Sequence, residues 1–112
     1  MSLRILIADD HTIVREGLRA LIEKESDLEV VAEAENGSVA LQRAHAFRPD
    51  VVVMDISMPE LNGIEATRRI VAELPGIRVL ALFMETDRRF VVEILKSGAT
   101  GYLLKDAAFS EL

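Results

Sequence analysis

Val51-Val52-Val53-Met54-Asp55-Ile56-Ser57-Met58-Pro59 is a run of apolar, mostly β-branched residues that breaks off on a carboxylate. It is too short for a helix core and reads as a strand buried on both faces. Pro59 and the Asn62-Gly63 pair then stop the strand and supply a turn, which puts Asp55 at its carboxyl end. In an open parallel sheet that edge is where ligands bind. Taken alone, Asp55 reads first as an ordinary turn residue, and the rest of the chain decides otherwise.

The chain has 112 residues, 50% of them hydrophobic, which suits one compact domain with a real core. It has no cysteine, which excludes a disulfide framework and any thiolate site and suits a reducing cytoplasm. Met1-Ser2-Leu3-Arg4 leads straight into a strand with no signal peptide, and no apolar run approaches the roughly 18 residues of a membrane span. A soluble, cytoplasmic protein without a membrane partner is expected. The net charge of -6 argues against this segment gripping nucleic acid by its phosphates. Any action on DNA then requires another segment.

Working outward from the central run, Leu3 to Ala8 is an apolar strand that ends on Asp9-Asp10. Ile13, Val14, Gly17, Leu18, Leu21 and Ile22 follow at the spacing of a helix with one buried side, starting near Asp10 or His11. Helix capping accounts for one of the two aspartates better than for both. His11 reads as an exposed first-turn residue and not a metal ligand, because no partner stands at ligand spacing on that helix. Leu28 to Ala34 alternates apolar and acidic residues and predicts an edge strand. Asn36-Gly37 reads as a turn, and Val39, Ala40, Ala44 and Phe47 mark a second helix that Pro49-Asp50 ends. A third helix is expected from about Gly63 to Leu74, with Ile64, Thr67, Ile70, Val71 and Leu74 inward, closed by Pro75-Gly76. Ile77 to Phe83 is a fourth strand. Asp87 caps a fourth helix with Val91, Ile94 and Leu95 inward and Gly98 at its close, and Thr100 to Leu104 is the fifth strand. Ala107 to Leu112 then read as the stub of a truncated fifth helix.

Five strands alternating with four helices give a doubly wound α/β domain with a parallel sheet. Right-handed crossovers place every strand's carboxyl end on one edge, gathering Asp9, Asp10, Asp55, the residues after Leu82, and Lys105. Three crowded carboxylates call for a cation, and oxygen ligands without histidine or cysteine suit Mg²⁺, which also takes phosphate oxygens. Lys105 adds a mobile positive charge. The site reads as one that holds a divalent cation and a phosphoryl group. No glycine-rich loop for a nucleotide is present.

The acidic pair after strand one, the Asp-x-x-Met-Pro turn after strand three and Gly101-Tyr102-Leu103-Leu104-Lys105 together resemble the receiver domain of two-component response regulators. The resemblance covers the whole chain. Asp9-Asp10-His11, Val14-Arg15-Glu16-Gly17-Leu18 and Gly101 to Asp106 further resemble the NarL/FixJ class, whose members usually carry a LuxR-type helix-turn-helix DNA-binding domain after the receiver. The resemblance implies a flavodoxin-like sheet of order 2-1-3-4-5. It implies that Asp55 is the phosphoacceptor, taking a phosphoryl group from a sensor histidine kinase. It also implies that Asp10, Asp55 and the backbone carbonyl of Ser57 hold Mg²⁺, with Asp9 acting through water, and that Lys105 pairs with the phosphoryl group. Such transfer depends on in-line positioning and on neutralising charge on the transferred oxygens. Tyr102 matches the switch aromatic.

Two features depart from the family pattern. Phe83 stands where the family has Ser or Thr at the end of strand four, and Thr86 lies three residues on in the loop. The last helix is cut short and no output domain follows, so the chain reads as residues 1–112 of a longer regulator. An incomplete helical layer predicts self-association, as a homodimer or through a borrowed segment. Two other functions stand beside the leading one: a degenerate receiver acting as a phosphorylation-independent interaction module, which Phe83 favours, and a Mg²⁺-dependent phosphohydrolase. The latter lacks a second carboxylate just after Asp55 to serve as general acid or base.

Overall fold

Leu3–Ala8 (β1), Leu28–Ala34 (β2), Val51–Asp55 (β3), Arg78–Phe83 (β4) and Gly101–Leu104 (β5) pair in parallel into one sheet ordered β2-β1-β3-β4-β5. The architecture comes from a computed structural model that describes residues 2–56, 63–83 and 88–104. The expected doubly wound sheet and its strand order are both present, with β2 at an edge. The segment expected as a fifth-helix stub lies outside the described residues, as do Asp87 and the side chain of Val91.

The connecting helices are Thr12–Glu23 (α1), Gly37–Phe47 (α2), Gly63–Glu73 (α3) and Arg88–Lys96 (α4). Because strand side chains alternate between faces, each central strand feeds two cores. Leu6 and Ala8 of β1, with Val52 and Met54 of β3, pack among Ala40, Leu41, Ala44, Ala66 and Ile70 of α2 and α3. Ile5, Ile7 and Val53 go the other way, with Leu82 of β4, onto Leu18 and Ile22 of α1. Each fully buried aliphatic side chain contributes roughly 1.5 to 3 kcal/mol. That two-sided burial is why β3 carries an unbroken apolar run.

Local signals set most element ends. Asn36 is the N-cap of α2, its Oδ1 accepting from the Val39 amide at 2.8 Å, so Asn36-Gly37 opens a helix and is not the free-standing turn expected. Arg48 closes α2 in the left-handed region with φ 49°, and Pro49 follows. Asp50 then sets the height of β3. Its amide donates to the Arg4 carbonyl at 2.7 Å, its Oδ2 accepts from the Arg4 amide at 2.8 Å, and its carbonyl accepts from the Arg78 amide at 3.1 Å. Tied to β1 and β4 at its start, β3 runs a fixed length to Asp55 at the far edge.

Three inward assignments from the helical spacing are corrected. Ile13 is 84% exposed and Leu95 is 45% exposed, while their neighbours Val14 and Ile94 face the core. A step of one residue turns about 100° around a helix, enough to carry the edge of an apolar stripe into solvent. Phe47, the last residue of α2, is also exposed. Between α2 and α3, Glu73 accepts from His45 Nε2 at 2.8 Å and from Arg69 Nε at 3.0 Å, and these bonds, His45's first, hold its carboxyl below the usual range. The pair is exposed and salt-screened, so the buried side chains beneath it hold the two helices together.

Candidate functional site

The site forms where β1 and β3 end side by side. Ala8 pairs with Met54, so the residues that follow, Asp9 and Asp55, leave the sheet at neighbouring points on its carboxyl edge. The alternation that sends Ile7 and Val53 toward α1 sends Asp9 and Asp55 the same way. Both are buried, with 0% and 1% of their surface exposed. Asp10, on the loop into α1, keeps about a third of its side chain in solvent. Asp9, Asp10, His11 and Asp55 each present one ligand atom, and these atoms all lie within 4.8 Å of one another.

Capping does not account for this acidic group. The N-cap of α1 is His11, whose side chain makes no capping bond. Asp9 Oδ1 accepts from the His11 amide at 2.8 Å, which shapes the loop and leaves Asp10 projecting beside it. His11 itself was not anticipated here. Its Nδ1 lies 3.1 Å from Asp9 Oδ1 and 3.3 Å from Asp10 Oδ1, with 56% of the side chain exposed. Ligand spacing along the helix gave no hint of it, because its neighbours lie on the preceding loop.

Gly63 is the second residue missed. A Cβ there would lie 2.3 Å from the Asp55 carbonyl oxygen and 2.3 Å from Ile56 Cα. The Gly63 amide donates to the Ile56 carbonyl at 3.3 Å, and Thr67 Oγ1 donates to the Gly63 carbonyl at 2.7 Å. The start of α3 therefore rests directly on the backbone that carries Asp55. Asn62-Gly63 reads as a turn in sequence, and the residue type was the only signal.

Tyr102, paired with Ala81 in the β4–β5 register, is 42% exposed. Lys105, Ser57 and Thr86, and the side chain of Phe83, lie outside the described residues.

The donor set suits a hard cation. Three carboxylates converge from two strand ends and a loop, two of them buried, and no thiolate competes; the exposed His11 Nδ1 stands beside them, so the expected histidine-free set is corrected to three oxygen donors with one nitrogen neighbour.

A three-layered α/β/α sandwich with this acidic edge is the geometry of a receiver-type signalling domain. Residues 5–112 match the family model described as "Response regulator receiver domain", and the chain belongs to that family. It is 43% identical over 105 residues to the transcriptional regulatory protein DegU of Brevibacillus brevis, a match covering 94% of this chain and 44% of that protein. It superposes on a two-component response regulator of the LuxR family from Aurantimonas sp. SI85-9A1 with TM-score 0.92 and 40% identity, covering 99% of this chain and 79% of that one. The receiver domain of the response regulator NarL from Mycobacterium tuberculosis gives TM-score 0.93 and 32% identity, covering 98% and 89%. The chain spans less than half the length of DegU. It is a receiver domain of the two-component type, with LuxR/NarL/FixJ-type relatives that are transcriptional regulators, and the phosphorylation-independent module is not favoured.

Proposed function

We propose that this receiver takes a phosphoryl group from the phosphohistidine of a sensor kinase onto Asp55, catalysing the transfer itself. The observation that carries the proposal is the convergence of Asp9, Asp10 and Asp55 within 4.8 Å at the carboxyl edge of a sheet of this family. A carboxylate oxygen of Asp55 attacks phosphorus, an O–P bond forms and the N–P bond breaks, and the imidazole leaves. Burial holds Asp55 in one orientation and limits water around the reacting oxygen. Asp10 and Asp55, with the Ser57 carbonyl, are the residues that would hold Mg²⁺, and Asp9 would act through water. A bound Mg²⁺ supplies charge neutralisation for the transferred oxygens. Lys105 pairs with the phosphoryl group. Incubation with Mg²⁺ and a small phosphodonor tests this: a labile covalent phosphate is the expected product, and its absence overturns the proposal.

The acidic group carries its own prediction. Because Asp9, Asp10 and Asp55 are like charges held close, Mg²⁺ stabilises the native state selectively and raises the melting temperature. Asp10→Ala removes most of that rise. An unchanged metal response in the variant would place the cation elsewhere.

Signalling beyond the site depends on Phe83 and Tyr102. A hydroxyl at position 83 would donate to the phosphoryl oxygens, and phenylalanine does not. A hydrogen bond to a charged group is worth roughly 1.5 to 3 kcal/mol, the size of a typical allosteric coupling energy. Phe83 therefore weakens switching more than phosphorylation, with Tyr102 held outward. In Phe83→Thr, phosphorylation reaches a similar extent while the phosphate-dependent change around Tyr102, read by NMR, grows. A full change in the parent, or its loss in Thr86→Ala, would contradict this.

The output is transcriptional, exercised through a DNA-binding domain that continues the chain in the complete regulator, and the setting is the cytoplasm. Support comes from the less than half of DegU's length that the chain spans. Among the described residues no helix is long and apolar enough to cross a membrane. On the sheet face that carries α1, a largely apolar cavity of about 320 Å³ is lined by Val51, Leu80 and Gly101 among others. Self-association through this face is expected, with sedimentation at rising concentration giving masses above the monomer's; a strict monomer would count against it.

A further inference from the structure

We propose that Arg15 is a positioning residue for the acidic site, holding the peptide group between Asp9 and Asp10 so that the Asp10 carboxylate points at the cation; this rests on the function proposed above. Arg15 stands in the first turn of α1, its amide bonded to the His11 carbonyl at 3.0 Å. Its side chain turns back over the loop. Nη1 donates to the Asp9 carbonyl at 2.6 Å and Nε donates to Glu33 Oε1 at 3.2 Å, with only 17% of the side chain exposed.

Each partner has a defined place. Glu33 lies on β2 opposite Ile7, which faces α1, so its carboxylate sits beneath that helix. Its other oxygen, Oε2, accepts from Arg19 Nη1 at 2.7 Å, and Arg19 also donates to Glu23 at 2.7 Å. Glu33 is thus fixed at both oxygens, and Arg15 is fixed by Glu33. The guanidinium is planar, so a fork held at Nε has its Nη1 direction set. That direction ends on the Asp9 carbonyl.

The carbonyl of Asp9 and the amide of Asp10 belong to one rigid peptide plane. Fixing the oxygen fixes the plane, and the plane sets the direction in which Asp10 leaves the chain. The Asp9 amide is already tied to the Ala34 carbonyl at 3.0 Å, and Asp9 Oδ1 to the His11 amide at 2.8 Å. Arg15 supplies the remaining constraint on the Asp10 side. A charge-assisted bond in a largely buried setting resists both salt and thermal reorientation. Arg15 touches neither the cation nor the reacting oxygens, and it acts through the backbone of the residue that does.

The test compares Arg15→Met, which keeps the helix-forming stem and removes both bonds, with Arg15→Lys and Arg19→Met. In metal-free protein, Arg15→Met shifts the backbone ¹⁵N resonance of Asp10, because the preceding carbonyl loses its donor. Mg²⁺ binding followed by calorimetry weakens about tenfold, the usual scale for losing an outer partner of a metal ligand. Arg15→Lys, which retains one donor group, falls between the two. Arg19→Met removes a neighbouring, more exposed Glu33 bond, lowers the melting temperature less, and leaves Mg²⁺ affinity within about twofold. An Asp10 resonance and Mg²⁺ affinity unchanged in Arg15→Met would reduce Arg15 to a clamp between α1 and β2. Should Arg15→Met fail to fold, Arg15→Ala carries the same test, and parental affinity with an unshifted Asp10 resonance there overturns the assignment equally. Absence of any Asp10-dependent Mg²⁺ binding in the parent would instead overturn the proposed function, and the positioning role with it.

Discussion

Asp55→Asn takes up no covalent phosphate from a small phosphodonor in the presence of Mg²⁺, while its far-UV circular dichroism matches the parent's. The substitution replaces one carboxylate oxygen by an amide nitrogen at almost constant volume, so the surrounding packing survives. What is lost is the anionic oxygen that attacks phosphorus. Labelling should fall to background, since neither Asp9 nor Asp10 closes β3 between β1 and β4 as Asp55 does. The variant also removes one of three like charges held within 4.8 Å. Metal-free, it should therefore melt at or above the parent's temperature, and added Mg²⁺ should raise that temperature less than in the parent. Persistent labelling would move the phosphoacceptor to another residue.

Gly63→Ala has the largest expected effect on stability. The added methyl would stand 2.3 Å from two backbone atoms, the Asp55 carbonyl oxygen and Ile56 Cα, and neither can rotate away as a side chain would. Overpacking a rigid site costs about 3 kcal/mol at the upper end of its usual range, or roughly 10 to 15 °C in melting temperature for a domain of this size. The displaced backbone is the one that carries Asp55, so phosphate uptake falls as well. Gly76→Ala is the control. Gly76 has φ +111° with nothing within 4 Å of the added atom, so it meets backbone strain of about 1 to 2 kcal/mol without crowding. A loss in Gly63→Ala no larger than in Gly76→Ala would show that the approaching backbone gives way and that the contact with Asp55 is not what requires Gly63.

Much of this protein was legible along the chain. The bounds of β1 and β3 follow from apolar runs that break on Asp9 and Asp55, because a strand buried on both faces tolerates no charge until its carboxyl edge, whereas β2 follows from the alternation of an edge strand before Asn36-Gly37. The alternation of strand and helix then implies right-handed crossovers, which alone bring the ends of β1 and β3 to one edge. Topology by itself therefore gathers Asp9, Asp10 and Asp55 at one edge. The helices were legible in position but less so in orientation, as exposed Ile13 and Leu95 show.

By itself, then, the sequence determined the parallel sheet and the acidic edge, since periodicity and crossover handedness are properties of single segments and of the chirality of the chain. Tertiary structure decided which atoms meet there. His11 approaches Asp9 and Asp10, Arg15 reaches the Asp9 carbonyl, and Gly63 lies against Asp55. Those distances depend on where one segment crosses another and how a side chain turns over a loop. A glycine required by an approaching backbone looks, along the chain, like a glycine required by a turn. An arginine bonded to a carbonyl looks like any other arginine on an exposed face. Only the packing of α1 and α3 onto the sheet separates them.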